Sequence, residues 1–193
     1  MLILGSTSPR RKEILSFFKI PFNIITPDFD EESIPYAKDP YTYVKKIAEG
    51  KALSIQKKEL GLPILTADTI VVLENELFLK PNNHQKAFEM LSKLSGKTHT
   101  VLTAVCLLSE ERTSTLVVET KVTFHPYDQE QINRYIESIN VLDKSGSYAI
   151  QGIGSLIVKS IDGCFYNVMG LPLHATFTLL EKFGFNLWEY LKT

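Results

Sequence analysis

Charge of one sign is the first thing this sequence lacks: 21 lysines and arginines stand against 22 aspartates and glutamates, a formal net charge of -1 at pH 7. That balance supplies no global field to hold duplex DNA or an anionic membrane, so any anion site must be local. Cysteine is nearly absent as well. Cys106 lies in the apolar run "TAVCLL" and Cys164 in "DGCFYN". Neither has the spacing of a metal ligand or a redox pair, which fits a reducing cytoplasm. The four histidines, at 84, 99, 125 and 174, never fall at i, i+4 or as H-x-H, so there is no zinc signature. Long apolar runs are missing too. No window approaches the roughly 20 residues of a transmembrane helix, and "MLILGSTSPRR" lacks the basic stretch and long apolar run of a signal peptide. A soluble, unprocessed, cytoplasmic chain with no nucleic-acid or membrane partner is expected. Neither a G-x-S-x-G elbow nor a Walker A loop occurs.

What is present is an ordinary globular composition, 44% hydrophobic and 22% charged over 193 residues, and residues 1–193 are expected to form a single domain. Leu2 to Leu4 read as a buried strand. Gly5 to Ser8 then turn into a helix with Ser8 as N-cap, Pro9 at its first position and Ile14, Leu15, Phe17 and Phe18 on its inner face. "FNIIT" (22–26) predicts a second strand and "PDFDEES" an acidic segment. "PYTYVKKIAEGKALSIQKK" (40–58) places Tyr43, Val44, Ile47, Ala48, Leu53 and Ile55 in a helical pattern despite Gly50. Dense β-branching marks "LPILTADTIVVL" (62–73) as a strand, with "ELFLKP" as the second arm of a hairpin. Asn83 caps a helix over "HQKAFEMLSKL" that Gly96 ends, and Asp128 caps another over "YDQEQINRYIES". Between them "THTVLTAVCLL" and "TLVVETKVTFH" predict two long strands. A Gly-rich turn, a strand, a turn and a helix from Pro172 to Lys182 complete the chain. Strands and helices mix without repeats or linkers, as in an α/β or α+β domain.

Several residues break these patterns. Arg10, Arg11 and Lys12 fill the first turn of a helix, where the backbone dipole favours carboxylates over cations. A phosphate there would make sense of them, because backbone N–H groups, the Ser6 and Ser8 hydroxyls and the guanidinium forks would all meet one anion. The plainer alternative is a solvated turn. Asp68 stands in an otherwise apolar strand, and a buried carboxylate needs hydrogen bonds, a cation or a metal. Lys51 and Lys80 interrupt apolar stretches in a similar way. In "DFDEE" (28–32) the carboxylates Asp28, Asp30, Glu31 and Glu32 read equally as a solvated loop. Gln151, set beside Gly152 in "YAIQGIGS", offers an amide able to read the edge of a base.

Together, "ILGSTSPRRKEIL", "PDFDEES", "GKA", "TADTIVVLENELFLKP", "LSGKTHTVLTAV" and "SGSYAIQGIGSLIVKSIDGCFYNVMGLPL" resemble the Maf family of nucleoside triphosphate pyrophosphatases, in the family's order from about Leu2 to Leu180. The resemblance implies an α/β fold with an elongated, twisted mixed sheet, flanking helices and two lobes around a central cleft. It implies cleavage of a nucleoside triphosphate between the α- and β-phosphates with a divalent cation such as Mg²⁺, Mn²⁺ or Co²⁺, and a homodimer. Carried over by motif position, Ser6, Ser8, Arg10, Arg11, Thr69, Lys80 and Gln151 bind substrate. Asp68, Glu31 and Lys51 carry catalysis, with Asp68 as the base and Asp68 and Glu31 as metal ligands. "ADT" with "IQG" resembles the branch acting on dTTP and UTP, with house-cleaning of non-canonical pyrimidine nucleotides as a possible extension. The chain departs from the family's "LGKP" by placing Leu79 where the glycine stands. Two alternatives remain open from sequence: a purine-directed enzyme resembling the inosine triphosphate pyrophosphatases, and a nucleotide-binding regulator of cell division or septum formation with weak catalysis.

Overall fold

Strand β1 (Leu2–Gly5) is buried along its whole length and pairs in parallel with β2 (Phe22–Ile24) on one edge and β3 (Ile64–Leu73) on the other. In this computed structural model, which describes residues 1–58 and 61–191, α1 (Pro9–Leu15) joins β1 to β2. A single 3-10 turn (Glu31–Ser33) and α2 (Pro40–Gln56) lead from β2 to β3. The other pairings are antiparallel. After β4 (Glu76–Phe78) folds back on β3 come α3 (His84–Leu94), β5 (Thr98–Leu108), β6 (Thr113–Phe124) and α4 (Gln129–Ser138). The chain closes through 3-10 turns at Ser145–Ser147 and Gly152–Ile157, then β7 (Val158–Asp162), α5 (Phe165–Met169) and α6 (Leu173–Lys182), with a last 3-10 turn at Leu187–Tyr190. The result is the α/β architecture read from the sequence: one mixed seven-stranded sheet, in the order β2-β1-β3-β5-β6-β7 with β4 also on β3, flanked by helices.

The position of the cleft follows from the register of β3. Its β5 edge is paired from Ile64 to Val72. On the opposite edge β1 takes Ile64 to Thr66 and β4 takes Val71 to Leu73. Among the described residues, positions 67–70 of that edge therefore have no strand beside them. The two faces of β3 differ by the period of two. Ile64, Ile70 and Val72 pack on Val44, Ile47 and Ile55 of α2. On the other face Leu65 and Ala67 join Ile14, Leu15, Leu179 and Leu180 in one apolar cluster, whereas Val71 and Leu73 join Leu91 of α3 and Ile132 of α4 in another. Between the two clusters sits a polar rung, Thr69 and its cross-strand partner Thr103, with hydroxyls 3.0 Å apart. The lobes part at that rung.

Some local expectations are corrected. Helix α1 stops at Leu15, so Phe17 is 40% exposed and meets Tyr166 edge-on instead of joining the inner face. Leu53 is 49% exposed, because the buried stripe of α2 runs through Val44, Ile47, Ala48, Lys51, Ala52 and Ile55 and leaves position 53 on the opposite side. "FYNVM", read as part of a turn, is the short helix α5. It has no side-chain cap and is held by tertiary bonds from the buried Asn167 amide to the Val101 carbonyl (3.1 Å) and the Thr120 hydroxyl (2.9 Å).

Candidate active site

On the α2 face of β3, Asp68 is the one buried carboxylate among the described residues. Lys51, equally buried on the inner stripe of α2, reaches its Oδ1 at 2.7 Å and the Glu31 Oε1 at 2.8 Å. Such a buried charge is tolerable because it is paired and hydrogen-bonded. Glu31 is brought there by its own segment. Asp30 accepts from the Glu32 N–H and caps the 3-10 turn, while the Phe29 ring lies so close to α2 that a Cβ on Gly50 would stand 2.3 Å from it. Gly50 costs the helix about 1 kcal/mol relative to alanine. In return the acidic segment is docked one residue from Lys51. Tyr43 lines the same corner, where burial and then the charges of Asp68 and Glu31 push its phenol up.

On the other face Arg11 fills the polar rung. Its Nε donates to the Gly170 carbonyl at 2.7 Å, Nη2 to the Thr69 hydroxyl at 3.0 Å and Nη1 to the Ser6 hydroxyl at 3.4 Å. Burial pulls this guanidinium below its ordinary pKa and the Asp68 charge works against that pull. Arg10 turns to the other rim, where Nη1 meets Asp143 Oδ2 at 3.0 Å and Nη2 the Asp143 carbonyl at 3.3 Å. Lys144 Nζ lies 2.5 Å from Asp143 Oδ1. Burial pushes the Asp143 carboxyl up, but the hydrogen bonds from Lys144 and Arg10 outweigh it and hold the group below the usual carboxylate range. Ser8 occupies the N-cap position of α1 without a side-chain cap bond, and its N–H donates to the Ser6 hydroxyl at 3.2 Å. Lys80, exposed just past β4, has no ion pair among the described residues.

The third side is uncharged. Ser145 Oγ donates to the Thr69 carbonyl at 2.8 Å, in the gap of the β3 edge. Ser147 is held in a left-handed conformation (φ 64°), fully buried, with its hydroxyl on Met90 Sδ at 3.2 Å. Such strain in a non-glycine residue persists where surrounding contacts fix it. Tyr148 places its hydroxyl 2.9 Å from His99 Nε2. Gln151 follows, half-buried, with its side-chain amide unpaired among the described residues. Leu79, the departure from the family pattern, is 39% exposed, and its carbonyl accepts from the Gly146 N–H at 3.3 Å. That contact uses only the main chain, so it does not require a glycine at 79.

Ser6, Ser8, Arg10, Arg11, Glu31, Lys51, Asp68, Thr69, Lys80 and Gln151 all line one cleft of about 520 Å³, within the usual range for a small-molecule site. Lys12, Asp28 and Asp30 lie outside it, and Asp28 pairs instead with Lys58 at the surface. A second, more open groove of about 620 Å³, where the Tyr41 hydroxyl donates to Glu119, contains none of them. The reading of the sequence missed Tyr43, Asp143, Lys144, Ser145 and Tyr148, all in the cleft wall. Only Asp143 and Lys144 carried a usable signal, two charges directly ahead of a Gly-rich turn.

A cleft with four cationic side chains near a lysine-bound carboxylate pair, closed on one side by a neutral loop, belongs to a protein that handles a small polyanion carrying a polar group. The chain belongs to the Maf-like protein family, whose model matches residues 1–183. It is 48% identical over 191 residues to the dTTP/UTP pyrophosphatase of Chlamydia felis, covering 98% of this chain and 97% of that one. To the dTTP/UTP pyrophosphatase of Symbiobacterium thermophilum it is 41% identical over 187 residues, with 97% and 96% covered. To the nucleoside triphosphate pyrophosphatase of Chlamydia muridarum it is 40% identical over 191 residues, with 98% and 97% covered.

Proposed function

We propose that this chain hydrolyses dTTP and UTP between the α- and β-phosphates, giving the nucleoside monophosphate and pyrophosphate. The observation that carries the reading is the Lys51 bridge between Asp68 and Glu31, set in the same cleft as Arg10, Arg11, Lys80 and Gln151. The names of the relatives agree with it. A triphosphate brings about four negative charges, which the arginines and lysines of the cleft balance. Arg10 is engaged by Asp143 and exchanges that carboxylate for phosphate oxygens, while Arg11 keeps its protein contacts and presents charge at the rung. Lys51 occupies Oδ1 of Asp68, and Oδ2 is left to accept a proton. A water at the α-phosphorus gives that proton to Oδ2 as its oxygen bonds to phosphorus. The bond from the α-phosphorus to the bridging oxygen breaks, and pyrophosphate leaves with its electron pair.

Asp68 and Glu31 also fit a divalent cation. Among the described residues no three His, Cys, Asp or Glu side chains form a cluster that would hold a metal alone. Mg²⁺, Mn²⁺ or Co²⁺ in such a site would take one or two carboxylates and complete its shell from phosphate and water oxygens. When bound, the ion neutralises charge on the phosphates. Gln151 and the main chain beside it read the pyrimidine, with Thr69 nearby, and the same pocket extends to modified pyrimidine nucleotides.

The reading further takes the chain as a single domain, a cytoplasmic homodimer without a nucleic-acid or membrane partner. No described helix is long and apolar enough to cross a membrane. The test incubates the purified protein with each common nucleoside triphosphate and Mg²⁺ or Mn²⁺ and identifies both products. Pyrophosphate and monophosphate from dTTP and UTP above the purine nucleotides are expected. Phosphate and diphosphate, or a purine preference, would overturn the proposal.

A further inference from the structure

Gln151 sits within a loop, residues 149–154, whose two ends touch. A Cβ on Gly154 would lie 2.6 Å from the Ala149 Cβ and 2.9 Å from its carbonyl oxygen, so glycine alone permits the approach. Over this pinch lies Tyr135, delivered from α4. Its hydroxyl accepts from the Ala149 N–H at 3.2 Å and donates to the Gly154 carbonyl at 2.9 Å. One oxygen thus ties both ends of the loop, as acceptor on one side and donor on the other. Tyr135 is 5% exposed and does not line the cleft. Burial pushes its phenol up to about 12, so the donated proton stays in place at neutral pH. Tyr127 offers a contrast, packed against the same apolar cluster: its hydroxyl is also buried and has no hydrogen-bond partner among the described residues.

We infer that Tyr135 is a positioning residue for base selectivity, acting by holding the 149–154 loop closed so that Gln151 meets the base in one orientation. The inference rests on the proposed reading of Gln151. Removing the Tyr135 oxygen takes from the Ala149 N–H its acceptor and from the Gly154 carbonyl its hydroxyl donor. The tie between the two ends is lost, and the loop keeps only its internal bond from the Gly154 N–H to the Gln151 carbonyl (3.1 Å). Discrimination between bases depends on hydrogen bonds made in a fixed geometry, so selectivity suffers first. The phosphate-binding groups lie on other elements and keep their places. The consequence is a separation of KM from kcat.

The experiment compares wild type, Tyr135→Phe, Gln151→Ala, their double variant and Tyr127→Phe. It measures kcat and KM for UTP and GTP and amide exchange at Ala149. Tyr135→Phe is expected to raise KM for UTP about tenfold, lower the UTP-to-GTP ratio of kcat/KM and leave kcat within about twofold. Exchange at Ala149 should quicken in this variant, and Tyr127→Phe should change none of these. The double variant should lose no more selectivity than Gln151→Ala alone, since both act through one loop. A wild-type ratio in Tyr135→Phe beside a lowered ratio in Gln151→Ala would overturn the clamp and leave the base reading standing. A lowered ratio in Tyr135→Phe with none in Gln151→Ala would keep the clamp and move base recognition to the loop main chain. Unchanged protection at Ala149, or equal losses in Tyr127→Phe, would overturn the clamp whatever the substrate.

Discussion

The charged and neutral walls of the cleft are held by different kinds of bond. Arg10, Lys51, Glu31, Asp68 and Asp143 are tied by side-chain ion pairs, each of which an incoming phosphate or cation can replace with an equivalent partner. The loop from Ser145 to Gly154 is tied mostly by hydroxyl groups to main-chain or neutral atoms: Ser145 on Thr69, Ser147 on Met90, Tyr148 on His99 and Tyr135 on Ala149 and Gly154. None of these is an ion pair that a phosphate or a cation would replace. On the proposed function, the difference assigns phosphate capture to partner exchange and base selection to a surface set in advance.

The hardest test of the charged wall is Asp68→Asn, which keeps the shape of the side chain but removes the proton acceptor. Turnover should fall roughly 10²- to 10⁴-fold. A kcat near that of wild type would take Asp68 out of the reaction and collapse the contrast between exchangeable and fixed walls.

The neutral wall has its own test in His99. Burial holds its imidazole down at about 4, against an ordinary 6.5. The unfolded chain therefore takes up a proton near pH 6.5 that the folded chain refuses until about pH 4. Stability is full above the unfolded value and is lost as the pH falls through this interval, by about 3 kcal/mol in all. Urea unfolding from pH 7 to 4 should show that decline, and His99→Phe should flatten it. An unchanged slope in the variant would mean that some other group controls the wall in acid.

A smaller effect is expected from Gly50→Ala. The new methyl improves helix propensity by about 1 kcal/mol but meets the Phe29 ring, so the acidic segment must shift. Thermal stability should barely change while kcat/KM falls about tenfold, because Glu31 leaves its place beside Lys51. Full activity would show that Glu31 is held by Lys51 alone.

Much of this was legible in the sequence because it is local. Asn83 and Asp128 announce their helices, and both cap as read, Asp128 within a full capping box. The long strands follow from β-branched runs. The candidate site was found through misfits: cations in a first helical turn, a carboxylate in an apolar strand, a lysine on an apolar stripe. The illegible parts depend on contacts distant in the chain. Two charges ahead of a Gly-rich turn mark Asp143 and Lys144, but the partner of Asp143 shows only when the fold brings Arg10 to it. Leu53 satisfies an apolar pattern but points away from the sheet, and Lys51 takes the inward position instead. Helix α5 has five residues and no side-chain cap, too short for periodicity to show, and its support comes from Val101 and Thr120. Gly50 reads as a blemish in a helix until Phe29 is seen filling the space above it.

The gap in β3 has a mechanical consequence. Only one edge of that strand is interrupted, while β5 and β6 run side by side from Thr98 to Leu108 beneath both lobes. Over its eleven residues β5 is a stiff beam of roughly 36 Å, by the rise of an extended strand. The jaws of the cleft are thus mounted on one plank, whose pairing with β6 runs without a break beneath both of them.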